Sequence, residues 1–145
     1  MTPTREDVAR MLVSARVARA NAYAPYSQYR VGATVLTRRG TIHAGANVEN
    51  ATLGATLCAE RAAIAAMVVA GAKHPVACLI LTAGPRPASP CGICRQVLAQ
   101  FATDMAVVLV GEGPGLGGGA AAVTRRTVRL RALLPDVFRL REVRP

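Results

Sequence analysis

Two short segments, Cys58-Ala59-Glu60-Arg61 and Pro90-Cys91-Gly92-Ile93-Cys94-Arg95-Gln96, place the tightest constraint on this chain. Together they carry three thiols and one carboxylate, and each reads as the first turn of a helix. Cys91 and Cys94 are three apart, so in a helical turn both sulfurs face one side. A helix N-terminus suits thiolates, because its unpaired N–H groups and its dipole favour negative charge. Zinc takes a tetrahedral set of soft donors, and a catalytic zinc uses three protein ligands and leaves a fourth position for water. Cys58, Cys91 and Cys94 supply three. Glu60, two residues after the first ligand, is then a base beside the metal rather than on it.

Two other readings of the cysteines compete. A C-x-x-C also serves thioredoxin-like redox chemistry, but that leaves Cys58-Ala59-Glu60 without a purpose. A purely structural zinc needs a fourth protein ligand, and the candidates are Cys78, His43 and His74. Cys78 sits inside an apolar run and reads as a small core residue, while the two histidines lack ligand spacing.

The paired segments resemble those of the zinc-dependent cytidine deaminases of the small homotetrameric type. Further stretches agree: Ala24-Pro25-Tyr26-Ser27, Val31-Gly32-Ala33, Asn47-Val48-Glu49-Asn50-Ala51, and Leu133-Leu134-Pro135 with Phe138. The resemblance runs from about Met11 to Phe138. It implies a three-layer α/β/α fold with a five-stranded mixed sheet and two zinc-bearing helices side by side. It also implies a homotetramer whose active sites are completed by neighbouring subunits.

The chemistry implied is hydrolytic deamination of free cytidine and 2′-deoxycytidine to uridine and 2′-deoxyuridine by a zinc-bound hydroxide, with Glu60 as the proton shuttle. By the same resemblance Arg61 offsets the charge of the thiolates by hydrogen bonding to sulfur, and Arg95 is placed to do likewise. Asn47 and Glu49, two apart on a strand end and so on one face, match a pair that holds the ribose 3′-hydroxyl. Backbone groups of Ala59 and Ser89 match contacts to the pyrimidine edge. Tyr29 matches a position near the base that is usually Phe, and Phe138 a position over a neighbour's site. Leu53 stands where an aromatic residue is usual, and the Gly111–Gly119 stretch is longer than usual. These departures bear on substrate identity, so a modified cytosine nucleoside or a blasticidin-type antibiotic is the enzymatic alternative. The non-enzymatic alternative is a zinc-stapled basic binding module.

Composition bounds the rest. The 145 residues suit one domain, residues 1–145, with a sizeable core. At 52% hydrophobic the chain is too apolar to be disordered. No apolar run reaches the length of a membrane span, roughly 18 residues, and Met1-Thr-Pro-Thr-Arg-Glu-Asp7 is not built like a signal peptide. Free thiols without a secretory signal favour a metal over disulfides and a cytoplasmic location. The net charge of +10 is largely arginine, concentrated at Arg125, Arg126, Arg129, Arg131, Arg139, Arg141 and Arg144. With no aromatic interleaving to stack bases, this reads as a solvated face or a pairing surface between subunits rather than a nucleic-acid site.

Periodicity predicts a first helix capped by Thr4 and running to about Asn21, with Val8, Met11, Leu12, Ala15, Ala18 and Ala22 on one face. A hairpin follows, with strands near 31–37 and 41–48. A helix apolar almost all round is predicted over 57–70, ending at Gly71, and is expected to be the central buried helix. Strands are predicted over 75–82 and 105–110, with a helix between them that starts near Pro90 and runs to about Ala102. The Gly111–Gly119 stretch reads as a flexible loop, without the pattern of a phosphate cradle. A last strand near 123–130 and a short helical turn over 130–138 complete the order.

Overall fold

The computed structural model describes residues 2–102, 104–114 and 121–140. Helix α1 covers Arg5–Ala20 and is started by a reciprocal cap: Thr4 Oγ1 accepts the Asp7 N–H, and the Asp7 carboxylate accepts the Thr4 N–H. Strands β1 (Gly32–Thr37) and β2 (Ile42–Ala46) form the hairpin, and α2 covers Ala59–Val69. Then come β3 (Pro75–Ala83), α3 (Gly92–Phe101), β4 (Ala106–Pro114), β5 (Ala121–Arg129) and α4, one turn at Leu130–Leu133.

The strands make one mixed sheet in the order β2-β1-β3-β4-β5. Only β3 and β4 are parallel, with Cys78 opposite Val107 and Ile80 opposite Leu109. A parallel pair needs a crossover, and α3 supplies it. Each central strand sends alternate residues to opposite faces. Ala77, Leu79, Leu81, Ala106, Val108 and Val110 meet α1, whereas Cys78, Ile80, Val107 and Leu109 meet α2 and α3. Burial on both faces explains why β3 and β4 read as unbroken apolar runs. The three-layer α/β/α architecture with a five-stranded mixed sheet is therefore the observed one.

Two sequence expectations are corrected. Helix α2 buries one stripe, Ala59, Glu60, Ala63, Ile64 and Met67, and leaves Val69 89% exposed; it lies on the sheet rather than within the protein. The helix expected near Pro90 begins there: Cys91 is the N-cap of α3, and its Sγ accepts the Cys94 N–H. Strand β4 continues through Gly111 to Pro114, so four residues of the expected glycine loop are strand. Residues 115–119 of that loop lie outside the described residues, as do Arg141 and Arg144 of the arginine-rich tail. No described helix is long and apolar enough to cross a membrane.

Candidate active site and metal centre

Both helices that face away from α1 start at the same end of the sheet, and each is capped by a cysteine. Cys58 precedes α2 and Cys91 precedes α3, while Cys94 lies in the first turn of α3. Their sulfurs lie within 4.8 Å of one another, with Cys58 Sγ and Cys91 Sγ 4.0 Å apart. A tetrahedral zinc with Zn–S bonds of about 2.3 Å holds its sulfurs roughly 3.8 Å apart, so the triangle fits the ion. Among the described residues no fourth Cys, His, Asp or Glu joins the group. Cys78 is fully buried in β3, and His43 and His74 line a cavity formed by the turns that precede β2 and β3. The redox and structural-zinc readings both lose support from this three-sulfur set.

The sulfurs are electrostatically unequal. Cys58 is drawn down to about 5, chiefly by the hydrogen bond from Cys94 and also by Arg61 and Cys91. Cys94 moves the other way, because its thiol keeps its proton to donate a hydrogen bond to the Cys58 thiolate and is buried beside Glu60. Glu60 is only 5% exposed. Burial raises its carboxyl above the ordinary carboxylate range, and the negative charge of Cys58 adds to the effect. Arg61 Nη2 donates to the Thr56 carbonyl and reaches Cys58 Sγ at 3.8 Å. Its Nε is buried and has no protein partner among the described residues.

The remaining expected site residues occupy two flanks. Asn47 is buried, and its amide ties down the segment ahead of β1: Oδ1 accepts the Val31 N–H at 2.8 Å and Nδ2 donates to the Tyr29 carbonyl at 2.8 Å. The Glu49 carboxylate accepts the N–H groups of Tyr26 and Ser27 and the Ser27 hydroxyl. These bonds hold Glu49 below its usual range, the Ser27 hydroxyl most of all. The pair thus shapes the Tyr26–Tyr29 loop from within. Tyr29 itself is exposed. Ala59 is buried at the start of α2, and Ser89 is exposed beside buried Pro90.

Arg95 does not bond to a sulfur. Its Nε donates to the Pro90 carbonyl at 2.8 Å and its Nη1 to the Leu133 carbonyl at 3.0 Å, so it braces the Cys91 turn against α4. Phe138 is 68% exposed, and its carbonyl accepts from Gln96 Nε2. Leu53 is 77% exposed in the short 3₁₀ turn ahead of Cys58.

Sequence reading missed the support beneath the Gly84–Pro90 loop. Thr124 Oγ1, on β5, donates to the Pro85 carbonyl at 2.6 Å. A Cβ on Gly111 would lie 2.6 Å from the Gly84 carbonyl oxygen, so β4 and this loop touch backbone to backbone. Glu112 in turn pairs with Arg16 and Arg19 of α1. Only the Gly-Glu-Gly pattern hinted at a close approach.

Residues 5–110 match the model of the cytidine and deoxycytidylate deaminase zinc-binding region. The chain belongs to this family. A cytidine deaminase from Halalkalibacterium halodurans is 39% identical over 121 residues, spanning 83% of this chain and 86% of its own. One from Mycobacterium tuberculosis is 36% identical over 129 residues, spanning 88% and 86%. The crystal structure of cytidine deaminase from Burkholderia pseudomallei superposes with a TM-score of 0.77 at 35% identity, covering 90% of this chain and 98% of that one. With the family's zinc-binding region matched and three sulfurs converging, the metal of this family member is zinc.

Proposed function

We propose that this family member deaminates cytidine and 2′-deoxycytidine to uridine and 2′-deoxyuridine, releasing ammonia. The observation that carries the reading is a buried carboxyl, Glu60, two residues after Cys58 in a three-sulfur metal set with no fourth protein ligand among the described residues. Zinc, held by Cys58, Cys91 and Cys94, supplies the Lewis acidity that makes water a usable nucleophile near neutral pH.

The rest is done by side chains. Glu60 takes one proton from the attacking water and passes it to the ring N3, where it stays in the product, and then takes the second from the hydroxyl formed on C4 and passes it to the departing amino nitrogen. Its raised proton affinity suits it to hold each proton between pick-up and delivery. Arg61 lies against Cys58 and drains negative charge from a set of three thiolates, which would otherwise weaken the metal as an acid. The Ala59 N–H and the Ser89 backbone orient the pyrimidine edge. Glu49 has acceptor capacity beyond the bonds it makes to the loop; with Asn47 it receives the ribose 3′-hydroxyl, and Tyr29 flanks the base. Arg95 acts at one remove by fixing Pro90 and α4.

The same reading extends to assembly. Tyr26, Tyr29, Leu53, Ile93 and Phe138 are all exposed, on segments that flank the cysteine turns. A rim this apolar calls for a covering surface, and we take that cover to be neighbouring subunits of a homotetramer, with Phe138 reaching over a neighbour's site. Reduced thiols as ligands suit the cytoplasm, and residues 1–145 are read as one domain. The test is ammonia release from a panel of amino-heterocycles by zinc-loaded protein. Turnover of cytidine and 2′-deoxycytidine supports the proposal; turnover of neither refutes it.

A further inference from the structure

A second concavity, of about 460 Å³, lies far from the cysteines. Its walls are the β1–β2 turn and the turn joining α2 to β3. Helix α2 carries Glu60 at its start and leads into this cavity at its end, so its 11 residues separate the two places by about 16 Å. Arg38, Arg39, Lys73, His43 and His74 all line it, and among the described residues no Asp or Glu does. These are both of the chain's histidines and three of its 18 Lys and Arg residues. The ion pairs among the described residues use Arg10, Arg16, Arg19 and Arg131, so the three cations here have no carboxylate partner there.

The walls are fixed by hydrogen bonds rather than by these side chains. The Arg38 N–H donates to the His74 carbonyl at 2.9 Å, joining one turn to the other. Arg10 of α1 donates to the Gly40 carbonyl at 3.1 Å and pins the hairpin tip. Thr41 Oγ1 contacts Thr37 Oγ1 at 2.6 Å and His43 Nε2 at 3.2 Å, which sets the imidazole against the wall. A helix C-terminus ordinarily repels anions. Here the Gly71 N–H donates to the Val68 carbonyl and the Ala72 N–H to the Met67 carbonyl, so two of the last carbonyls of α2 are already covered.

Like charges crowded around a concavity repel until an anion neutralises them. Arginine forks match phosphate oxygens in pairs, and lysine adds a point charge. The volume lies within the range of small-molecule sites, about 300–1,000 Å³. Among the described residues the lining contains no Phe, Tyr or Trp. We infer that this cavity binds a small phosphate-bearing polyanion, such as pyrophosphate or the polyphosphate chain of a nucleotide, through Arg38, Arg39 and Lys73.

The experiment is calorimetric titration of the zinc-loaded protein, in buffer near physiological salt, with inorganic pyrophosphate, tripolyphosphate, a nucleoside triphosphate and a single-stranded oligonucleotide. The Arg38→Ala/Lys73→Ala variant is expected to bind tripolyphosphate at least about tenfold more weakly, the loss of roughly one charge-assisted hydrogen bond. Both side chains are exposed and make no hydrogen bonds within the described residues, and circular dichroism should confirm an unchanged fold. The Arg5→Ala/Arg125→Ala variant removes the same charge elsewhere and should bind as the wild type does. Equal affinity for tripolyphosphate and the nucleoside triphosphate identifies the phosphates as the whole ligand; tighter nucleotide binding, lost in the same variant, adds a nucleoside contact to the same site. Three results would overturn the inference: no saturable binding of any phosphate probe, equal weakening in both variants, or an oligonucleotide preferred over tripolyphosphate.

Discussion

Gly45 is the position at which one added methyl group should do the most harm to the chemistry. It lies in β2 against the first turns of α2, and a Cβ there would stand 2.3 Å from the Ala63 backbone nitrogen and 2.5 Å from the Ala59 carbonyl oxygen. Both are backbone atoms, so no side chain can rotate out of the way. Ordinary contact begins near 3.4 Å, and relief of the overlap requires α2 to retreat by roughly 1 Å in a close-packed interior. Overpacking of this kind costs about 1–3 kcal/mol, or a drop in Tm of roughly 3–10 °C for a chain of this size.

The larger effect is on the site. Cys58 and Glu60 travel with α2, whereas Cys91 and Cys94 stay with α3. Metal sites tolerate about 0.2 Å in ligand distance, and a misplacement of 1 Å can cost about 100-fold in rate. Gly45→Ala should therefore bind zinc more weakly and lose about 100-fold in kcat/KM for cytidine. Gly54→Ala is the matched control, because nothing lies within 4 Å of the new Cβ, and it should behave as the wild type does. Zinc content by atomic emission and initial rates of deamination measure both. Full zinc with turnover within twofold of wild type in Gly45→Ala would refute the packing of α2 on β2 described above.

Five further outcomes are expected. Cys91→Ala should lose zinc while Cys78→Ala retains it, measured by metal content after dialysis. Glu60→Gln should keep zinc and fold but lose at least 100-fold in kcat, the general acid–base share of the rate. The folded carboxyl of Glu60 is raised, so its stability contribution is complete below the ordinary carboxyl pKa of about 4.3 and is lost as pH rises through the folded value. Thermal melts of metal-free protein from pH 4 to neutrality should accordingly show Glu60→Gln gaining on the wild type as pH rises. Phe138→Ala should raise KM, and the wild type should sediment as a tetramer; a fully active monomer contradicts the shared site. Leu53→Tyr should lower KM for cytidine by less than tenfold, the worth of one stack or hydrogen bond, and an unchanged KM removes Leu53 from the pocket.

The metal set was readable because its spacing is local: two cysteines one helical turn apart and a third beside Glu60 need only two helix starts. The layers were readable from the alternation of helices and strands, and the resemblance sharpened them to a five-stranded mixed sheet. What escaped depends on distant partners. Asn47 looked free for a sugar, yet its amide is occupied by Tyr29 and Val31, 18 and 16 residues earlier. Arg95 looked like a partner for sulfur, but α4, which draws it away, lies 38 residues on. Gly111-Glu-Gly113 looked like loop. Strand β4 instead needs small residues there because Gly84 runs against it. Alanine made α2 look buried all round, since a residue without polar atoms does not declare which side faces water.

The 33 residues from Cys58 to Cys91 have a consequence for folding as well as for chemistry. That span holds the whole of α2 and β3, the middle strand of the sheet. A metal gripping both ends is a cross-link around the centre of the molecule. A covalent link closing a loop of this length would remove about 3–4 kcal/mol of unfolded-state entropy in the chain-entropy account. A metal differs in being exchangeable, and it stabilises in proportion to RT ln(1 + [Zn]/Kd). The strength of the central layer is thereby tied to the zinc supply of its surroundings, and a chelator loosens the sheet from its middle rather than its edges.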